Sequence, residues 1–179
     1  PSQPSGRPGQ RPNVLIILAD DQAAGTLQLM PRTRKIFAGG GVSFPHGYVT
    51  SPLCCPSRAS LMSGQYVHNH GVWDNKFVGR LDLKQPLQSE LGRAGYHTAL
   101  IGKYLNGWGE NGDISPPPGW DHWFGLIDPT TYNYFSYSVS VNGQRYDYGT
   151  RPEDYQTDVL GQEVVNTITR FGQESRPWF

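Results

Sequence analysis

Cysteine is nearly absent from this chain: there are two in 179 residues, and they are neighbours, Cys54 and Cys55. Such a pair cannot act as a disulfide framework, because bridging neighbours closes almost no loop and removes little chain entropy. Net charge is absent as well, with 15 Lys plus Arg balanced by 15 Asp plus Glu. No global field for a polyanion follows, so anion recognition has to be local. Long hydrophobic runs are also missing. The longest, Val14-Leu15-Ile16-Ile17-Leu18, falls far short of the about 20 residues a membrane span needs. No internal repeat recurs. What is abundant is Tyr (10), Trp (5), Gly (22) and Pro (15), a composition that points to a loop-rich, sugar- or aryl-handling protein and away from a helical bundle. The length suffices for one real core, burying about 70% of the unfolded chain's surface.

The pattern along the chain predicts an α/β fold. Residues 1–12, rich in Pro, Gly, Ser, Gln and Arg, read as a flexible tail of the kind that can follow a cleaved signal peptide. Residues 14–18 are continuous and β-branched-rich, the signature of a strand buried on both faces of a parallel sheet. A helix is expected over 30–37, stopped by Gly39-Gly40-Gly41, and a second strand over 42–48. Residues 84–94 predict a helix capped by Gly95, and 96–101 a third strand ending at Gly102-Lys103-Tyr104. Residues 106–129 read as loop. A hairpin is expected from 134–141 and 144–148 around Asn142-Gly143, because Asn-Gly suits a type I′ turn. Over 153–171, Tyr155, Val159, Leu160, Val164, Ile168 and Phe171 fall on one helical stripe. Pro177-Trp178-Phe179 reads as the start of a further strand.

Chemistry concentrates around the cysteines, in Ser51-Pro52-Leu53-Cys54-Cys55-Pro56-Ser57-Arg58-Ala59-Ser60-Leu61-Met62-Ser63-Gly64. Pro56 suits a helix's first turn, where its missing N–H is no loss. Gly64 can end that helix. The cysteines therefore sit at a helix N-terminus, where the dipole and free N–H groups favour an anion. Arg58, one turn inside, adds a planar, permanently charged fork for sulfate, phosphate or carboxylate. A sulfur nucleophile beside an oxyanion site is one reading; a structural pair or two buried small hydrophobes is the other.

Three further groups are candidates. Asp20 and Asp21 end the first expected strand, where open α/β sheets place their ligands. Their hard oxygens suit Ca²⁺ or Mg²⁺, although a solvated strand end or helix cap fits the pair alone at least as well. Lys103 ends another expected strand, either projecting toward the same edge or as an ordinary surface lysine. His68 and His70, at alternate positions, can face one side of an extended segment to bind substrate or metal, or can simply hydrogen-bond the surrounding loops.

The spacing Cys54-x-Pro56-x-Arg58, followed by Leu61 and Gly64-Gln65-Tyr66, resembles the maturation motif of the type I, formylglycine-dependent sulfatases. Gly102-Lys103-Tyr104-Leu105-Asn106-Gly107, Pro118-Gly119-Trp120, Tyr132-Asn133-Tyr134, Val141-Asn142-Gly143 and Tyr155-Gln156-Thr157-Asp158-Val159-Leu160 are similar to the N-acetylglucosamine-6-sulfatase branch of that family. The likeness runs from Arg11 onward. It implies an α/β, alkaline-phosphatase-like fold, a mostly parallel sheet flanked by helices, with residues 13–179 forming the N-terminal part of the catalytic domain.

What the resemblance implies for the site is specific. Cys54 is the residue oxidised to formylglycine, whose hydrate offers two hydroxyls on one carbon; Cys55 takes the variable position, so Cys55→Ala is expected to be tolerated. Asp20, Asp21 and the converted Cys54 share a divalent cation, Ca²⁺ before Mg²⁺. Arg58 and Lys103 are catalytic, neutralising charge on the sulfate, and His68 and His70 are candidates for substrate binding. Many arylsulfatases carry a histidine two residues after the lysine; here Leu105 stands, so no leaving-group acid is assigned. Further metal ligands, a second lysine and a histidine are expected from sequence beyond position 179, and without them Ca²⁺ binding would be poor.

The activity implied is sulfuric ester hydrolysis on a glucosamine-6-sulfate-like sugar or an aryl sulfate. Alternatives are a formylglycine-dependent phosphonate or phosphate ester hydrolase, an inactive, incomplete glycan-binding fragment, and a cysteine-thiolate enzyme without aldehyde. The implied partners are the sulfated substrate and a formylglycine-generating enzyme, with no nucleic acid and no membrane span. The implied location is secreted, periplasmic or lysosome-like.

Overall fold

The computed structural model describes residues 11–76, 81 and 85–179; the expected tail over 1–12 lies largely outside them, and of the helix expected over 84–94 only residue 84 does, the helix itself starting at Leu87. The described chain forms two compact units, residues Leu15–Val49 and a larger one made of Arg11–Val14 with Thr50–Phe179.

The smaller unit carries a 3₁₀ turn, Thr26–Leu29, and helix α1, Pro31–Gly40. Pro31 opens α1 at the position where proline's fixed φ is pre-set. The helix ends three residues past the expected 37, running through Gly39 and Gly40 to its C-cap at Gly41. No residue of this unit is buried; Ile17 is 71% and Phe44 80% exposed. The strands expected over 14–18 and 42–48 do not form. A strand is stabilised by its ladder, not by its own composition. Among the described residues, the 14–18 segment bonds its backbone only through Val14 N–H, to the Trp178 carbonyl at 2.9 Å.

The larger unit is built on a four-stranded sheet in the order β1-β2-β3-β4: Ala99–Gly102, His122–Leu126, Ser138–Val141 and Gln144–Asp147. β1 and β2 run parallel, while β2–β3 and β3–β4 are antiparallel, so the sheet is mixed. Beyond β1 the parallel sense continues. Trp178 bridges to His97 in parallel, Phe179 N–H donates to the His97 carbonyl at 2.7 Å, and Ala99 N–H to the Phe179 carbonyl at 2.9 Å. Asn13 and Val14 in turn bond Trp178. The expected strand start at Pro177-Trp178-Phe179 is therefore found as an edge of this sheet.

The hairpin is as its turn chemistry predicts: Asn142 and Gly143 both take positive φ, 51° and 89°, as a type I′ turn demands. β2 overturns the loop expected over 106–129. It is buried along all five residues, yet His-Trp-Phe-Gly-Leu offers neither alternation nor β-branched residues, so no periodicity betrays it. Among the described residues the unit also carries the α-helices α2, Cys54–Ser63; α3, Val67–His70; α4, Leu87–Arg93; and α5, Gln156–Phe171. Val159 and Leu160 of α5 pack on the cluster of Phe124, Leu126, Tyr137 and Val139. The buried His122 of β2 bonds Glu163 of α5 at 2.7 Å, a second tie between sheet and helix.

A second cluster lies beneath α2. Cys55, Ala59 and Met62 from α2 meet Val72, Tyr104, Leu105 and Trp123, all buried. Cys55 and Ala59, the small residues at the start of that face, let the first turns of α2 approach the end of β1 over an aromatic floor.

Candidate active site

The sequence run Cys54-Cys55-Pro56 does open a helix: Cys54 is its first residue and Leu53, extended at ψ 147°, its N-cap. Pro56 falls in the first turn, where no intrahelical partner is lost. Gly64 closes the helix in the left-handed conformation at φ 67°, its N–H bonded to the Ser60 carbonyl. The two cysteines have different surroundings: Cys54 is half-buried and Cys55 is fully buried.

Cys55 is held on three sides. Its N–H donates to Asn75 Oδ1 at 2.9 Å, its Sγ donates to Asn106 Oδ1 at 3.3 Å, and the same Sγ accepts from Asn106 N–H at 3.1 Å. Burial pushes the Cys55 thiol above the ordinary thiol value, so it stays protonated and unreactive at neutral pH. Geometry and charge together leave Cys54 as the reactive candidate. They also recast Cys55 as the anchor of the segment after β1 instead of a bystander. Cys55→Ala is therefore expected to cost about 1–3 kcal/mol, because it strands the Asn106 amide and leaves a small void; urea unfolding measures it.

Arg58, one turn along, donates from Nη1 to the Lys103 carbonyl at 2.6 Å. Lys103 follows β1 directly, so this bond pins the strand's carboxyl end to the helix whose N-terminus carries Cys54. The lysine ammonium lies over the Tyr132 ring, 4.9 Å from its centroid. Tyr132 ends a 3₁₀ turn, Thr130–Tyr132, and its hydroxyl accepts from Asn106 Nδ2 at 2.7 Å. Asp128 Oδ2 takes the Gly107 N–H at 2.5 Å, holding the other end of the same segment. Leu105 points into the aromatic cluster, 5% exposed; that position offers no proton donor.

The histidines divide. His68 is exposed and stacks on Tyr66 at 5.9 Å. His70 is buried, its Nδ1 accepting from Val72 N–H at 3.1 Å and its Nε2 3.0 Å from Ser60 Oγ. Accepting at Nδ1 places the proton on Nε2, which then donates to Ser60. Burial holds His70 below the usual imidazole range, consistent with a neutral ring fastening α3 to α2. Asp20 and Asp21 belong to the smaller unit, where both are exposed and form a bend, Asp21 at φ 53°.

Within the larger unit, then, the structure brings Cys54, Arg58 and Lys103 to one place. Sequence reasoning missed the side chains that hold them there: Asn75, Asn106, Asp128 and Tyr132. Tyr132 and Asn106 stand in motifs that mark the family branch, but nothing in their spacing reveals that they meet.

The family model for sulfatases matches residues 12–179. The chain belongs to the sulfatase family. It is 39% identical over 176 residues to the extracellular sulfatase SULF-1 homolog of Drosophila melanogaster, covering 93% of this chain and 15% of that protein. With human N-acetylglucosamine-6-sulfatase the identity is 37% over 176 residues, 90% of this chain and 31% of that one. The solved structure of BT4656 in complex with its substrate D-glucosamine-2-N,6-O-disulfate superimposes with a TM-score of 0.78 at 26% identity. It covers 94% of this chain and 33% of its own. The chain spans a third or less of the length of these relatives. The fold is the α/β, alkaline-phosphatase-like fold of that family, in the mixed form described above. No helix among the described residues is long and apolar enough to cross a membrane.

Proposed function

We propose that the protein carrying this chain is a sulfuric ester hydrolase that acts on a 6-sulfated glucosamine-type sugar through a formylglycine made from Cys54. The observation that carries the reading is the junction of α2 and β1. A half-buried Cys54 opens the helix while Arg58 clasps the carbonyl of Lys103. A nucleophile precursor, a helix N-terminus and two cations so arranged suit an ester of a tetrahedral oxyanion. The sugar class rests on the relatives: one is an N-acetylglucosamine-6-sulfatase and another holds a glucosamine disulfate.

Cys54 suits the conversion and Cys55 does not, since Cys55 is sealed in the core and committed to Asn106. When formed, formylglycine supplies as its hydrate a hydroxyl nucleophile at a carbon that can later release sulfate. The chain's own residues do the rest: Arg58 and Lys103 hold the sulfate oxygens and offset the charge that grows on them. Asp20 and Asp21 are proposed to hold a divalent cation together with position 54. The fit is one of donor chemistry: carboxylates match hard Ca²⁺, as does an aldehyde hydrate, whereas a bare thiol does not. Such an ion lowers the pKa of a bound hydroxyl. Maturation by a formylglycine-generating enzyme and a secreted, periplasmic or lysosome-like location follow from the same reading; one relative is described as extracellular.

The test is made on the protein co-expressed with a formylglycine-generating enzyme. Mass spectrometry of the peptide containing residue 54 is expected to find the aldehyde, and N-acetylglucosamine-6-sulfate is expected to release sulfate in preference to turnover of an aryl phosphonate. An unmodified thiol with no sulfate release overturns the proposal, and preference for the phosphonate moves it to the other ester class.

A further inference from the structure

Lys103 is fixed at both ends. Its carbonyl is held by Arg58 at 2.6 Å, and its ammonium sits 4.9 Å from the centre of the Tyr132 ring. That ring is itself tethered, since the Tyr132 hydroxyl accepts from Asn106 Nδ2 at 2.7 Å. Asn106 is in turn locked to Cys55 by both its amide oxygen and its backbone N–H. The path therefore runs from the residue beside Cys54, through Asn106 and Tyr132, to the lysine head group.

We propose that Tyr132 is a positioning residue for Lys103: its ring supports the ammonium, and the Cys55–Asn106 clamp sets the ring. The inference rests on Lys103 as the cation that contacts sulfate. A lysine has a flexible four-carbon stem, and a free one would sample many rotamers. An aromatic face attracts the ammonium and narrows the rotamers it samples. Tyr132 serves this purpose as a neutral phenol, and burial raises it above the ordinary phenol value so that it remains one. Nothing in the geometry asks Tyr132 to touch the substrate; its effect passes through Lys103. The Asn106 tether also explains why the segment after β1 needs a polar residue one position past the buried Leu105.

The experiment separates geometry from turnover. In the protein that carries these residues, lysines are reductively methylated with ¹³C, and the Lys103 signal is assigned with Lys103→Arg. The wild-type signal is expected upfield of the other lysines, shifted by the ring beneath it. Tyr132→Leu should return it to the ordinary position, while Tyr132→Phe, which keeps the ring but loses the hydroxyl tether to Asn106, should keep only part of the shift. Asn106→Ala, which frees the ring, should reduce it. On unmodified protein, Tyr132→Leu should lower kcat/KM about threefold to tenfold, and Tyr132→Phe, which restores the ring without its tether, should recover part of that loss. Tyr132 is 56% exposed, so circular dichroism of both variants should match the wild type. A Lys103 signal at the same place in wild type and Tyr132→Leu overturns the proposal, as does equal loss of activity in the Leu and Phe variants. A wild type that shows the ring shift but releases no sulfate overturns the function proposed above and leaves this contact standing.

Discussion

Cys54→Ala is expected to abolish sulfate ester hydrolysis, by at least about 10⁴-fold in kcat, while leaving the fold intact. Alanine removes the only atom at that position from which a nucleophile can be made. It leaves the helix undisturbed, because alanine is the best helix former and Cys54 is only half-buried at the first position of α2. Arg58 and Lys103 remain clasped, so a sulfated sugar should still bind the variant with an affinity close to that of the unconverted wild type. That combination of binding without turnover separates a lost nucleophile from a damaged site. Cys55→Ala inverts the pattern: stability falls first, and activity falls only as far as Asn106 and Lys103 shift. Sulfate release measured on the two variants, with calorimetric titration of a sulfated sugar, checks both halves. Turnover by Cys54→Ala near the wild-type rate would remove Cys54 from the chemistry.

How far a site can be read in sequence depends on whether its residues are neighbours along the chain. The α2 opening is legible because proline, arginine and glycine each have a fixed use in a helix, and all three fall within a stretch of nine residues, 56–64. The hairpin is legible for the same reason: Asn142-Gly143 states its own turn, and the structure gives both residues positive φ. β2 is not legible, because a strand buried on both faces with Trp123 and Gly125 in it has no polar beat to read. Nor is the 14–18 run decisive; its composition fits a buried strand, but composition cannot supply a ladder, and among the described residues that ladder is confined to Val14. Tyr132 and Asn106 sit 26 residues apart and meet only through the fold. The same holds for Cys55 and Asn106, 51 residues apart. Cys55 looked incidental from spacing because spacing speaks for the backbone, whereas its importance lies in a buried sulfur that answers one asparagine twice.

The largest effect on stability is expected from Trp123→Ala, about 3–5 kcal/mol by urea unfolding. Trp123 is fully buried as the second residue of β2, with Trp108 at 4.9 Å, Tyr104 at 5.3 Å and Trp120 at 6.2 Å between ring centres. Gly125 makes room for it: a Cβ there would come within 2.4 Å of the indole nitrogen, so no neighbour can relax into the space from that side. The indole N–H finds no hydrogen-bond partner among the described residues. Its removal therefore costs packing, with little polar term to offset. Trp123→Phe tests that division, since it keeps most of the ring area and discards the unpaired N–H; it should cost well under half as much. The site should feel the alanine variant through Tyr104, whose ring rests edge-on against Trp123 and whose backbone neighbour is Lys103. Loss of the floor loosens Tyr104, then the Lys103 carbonyl held by Arg58, so sulfate release should fall by more than the fraction unfolded accounts for. If activity per folded molecule is unchanged in Trp123→Ala, the aromatic floor supports the fold alone, and the Lys103 segment is held by Arg58, Cys55 and Asp128 without it.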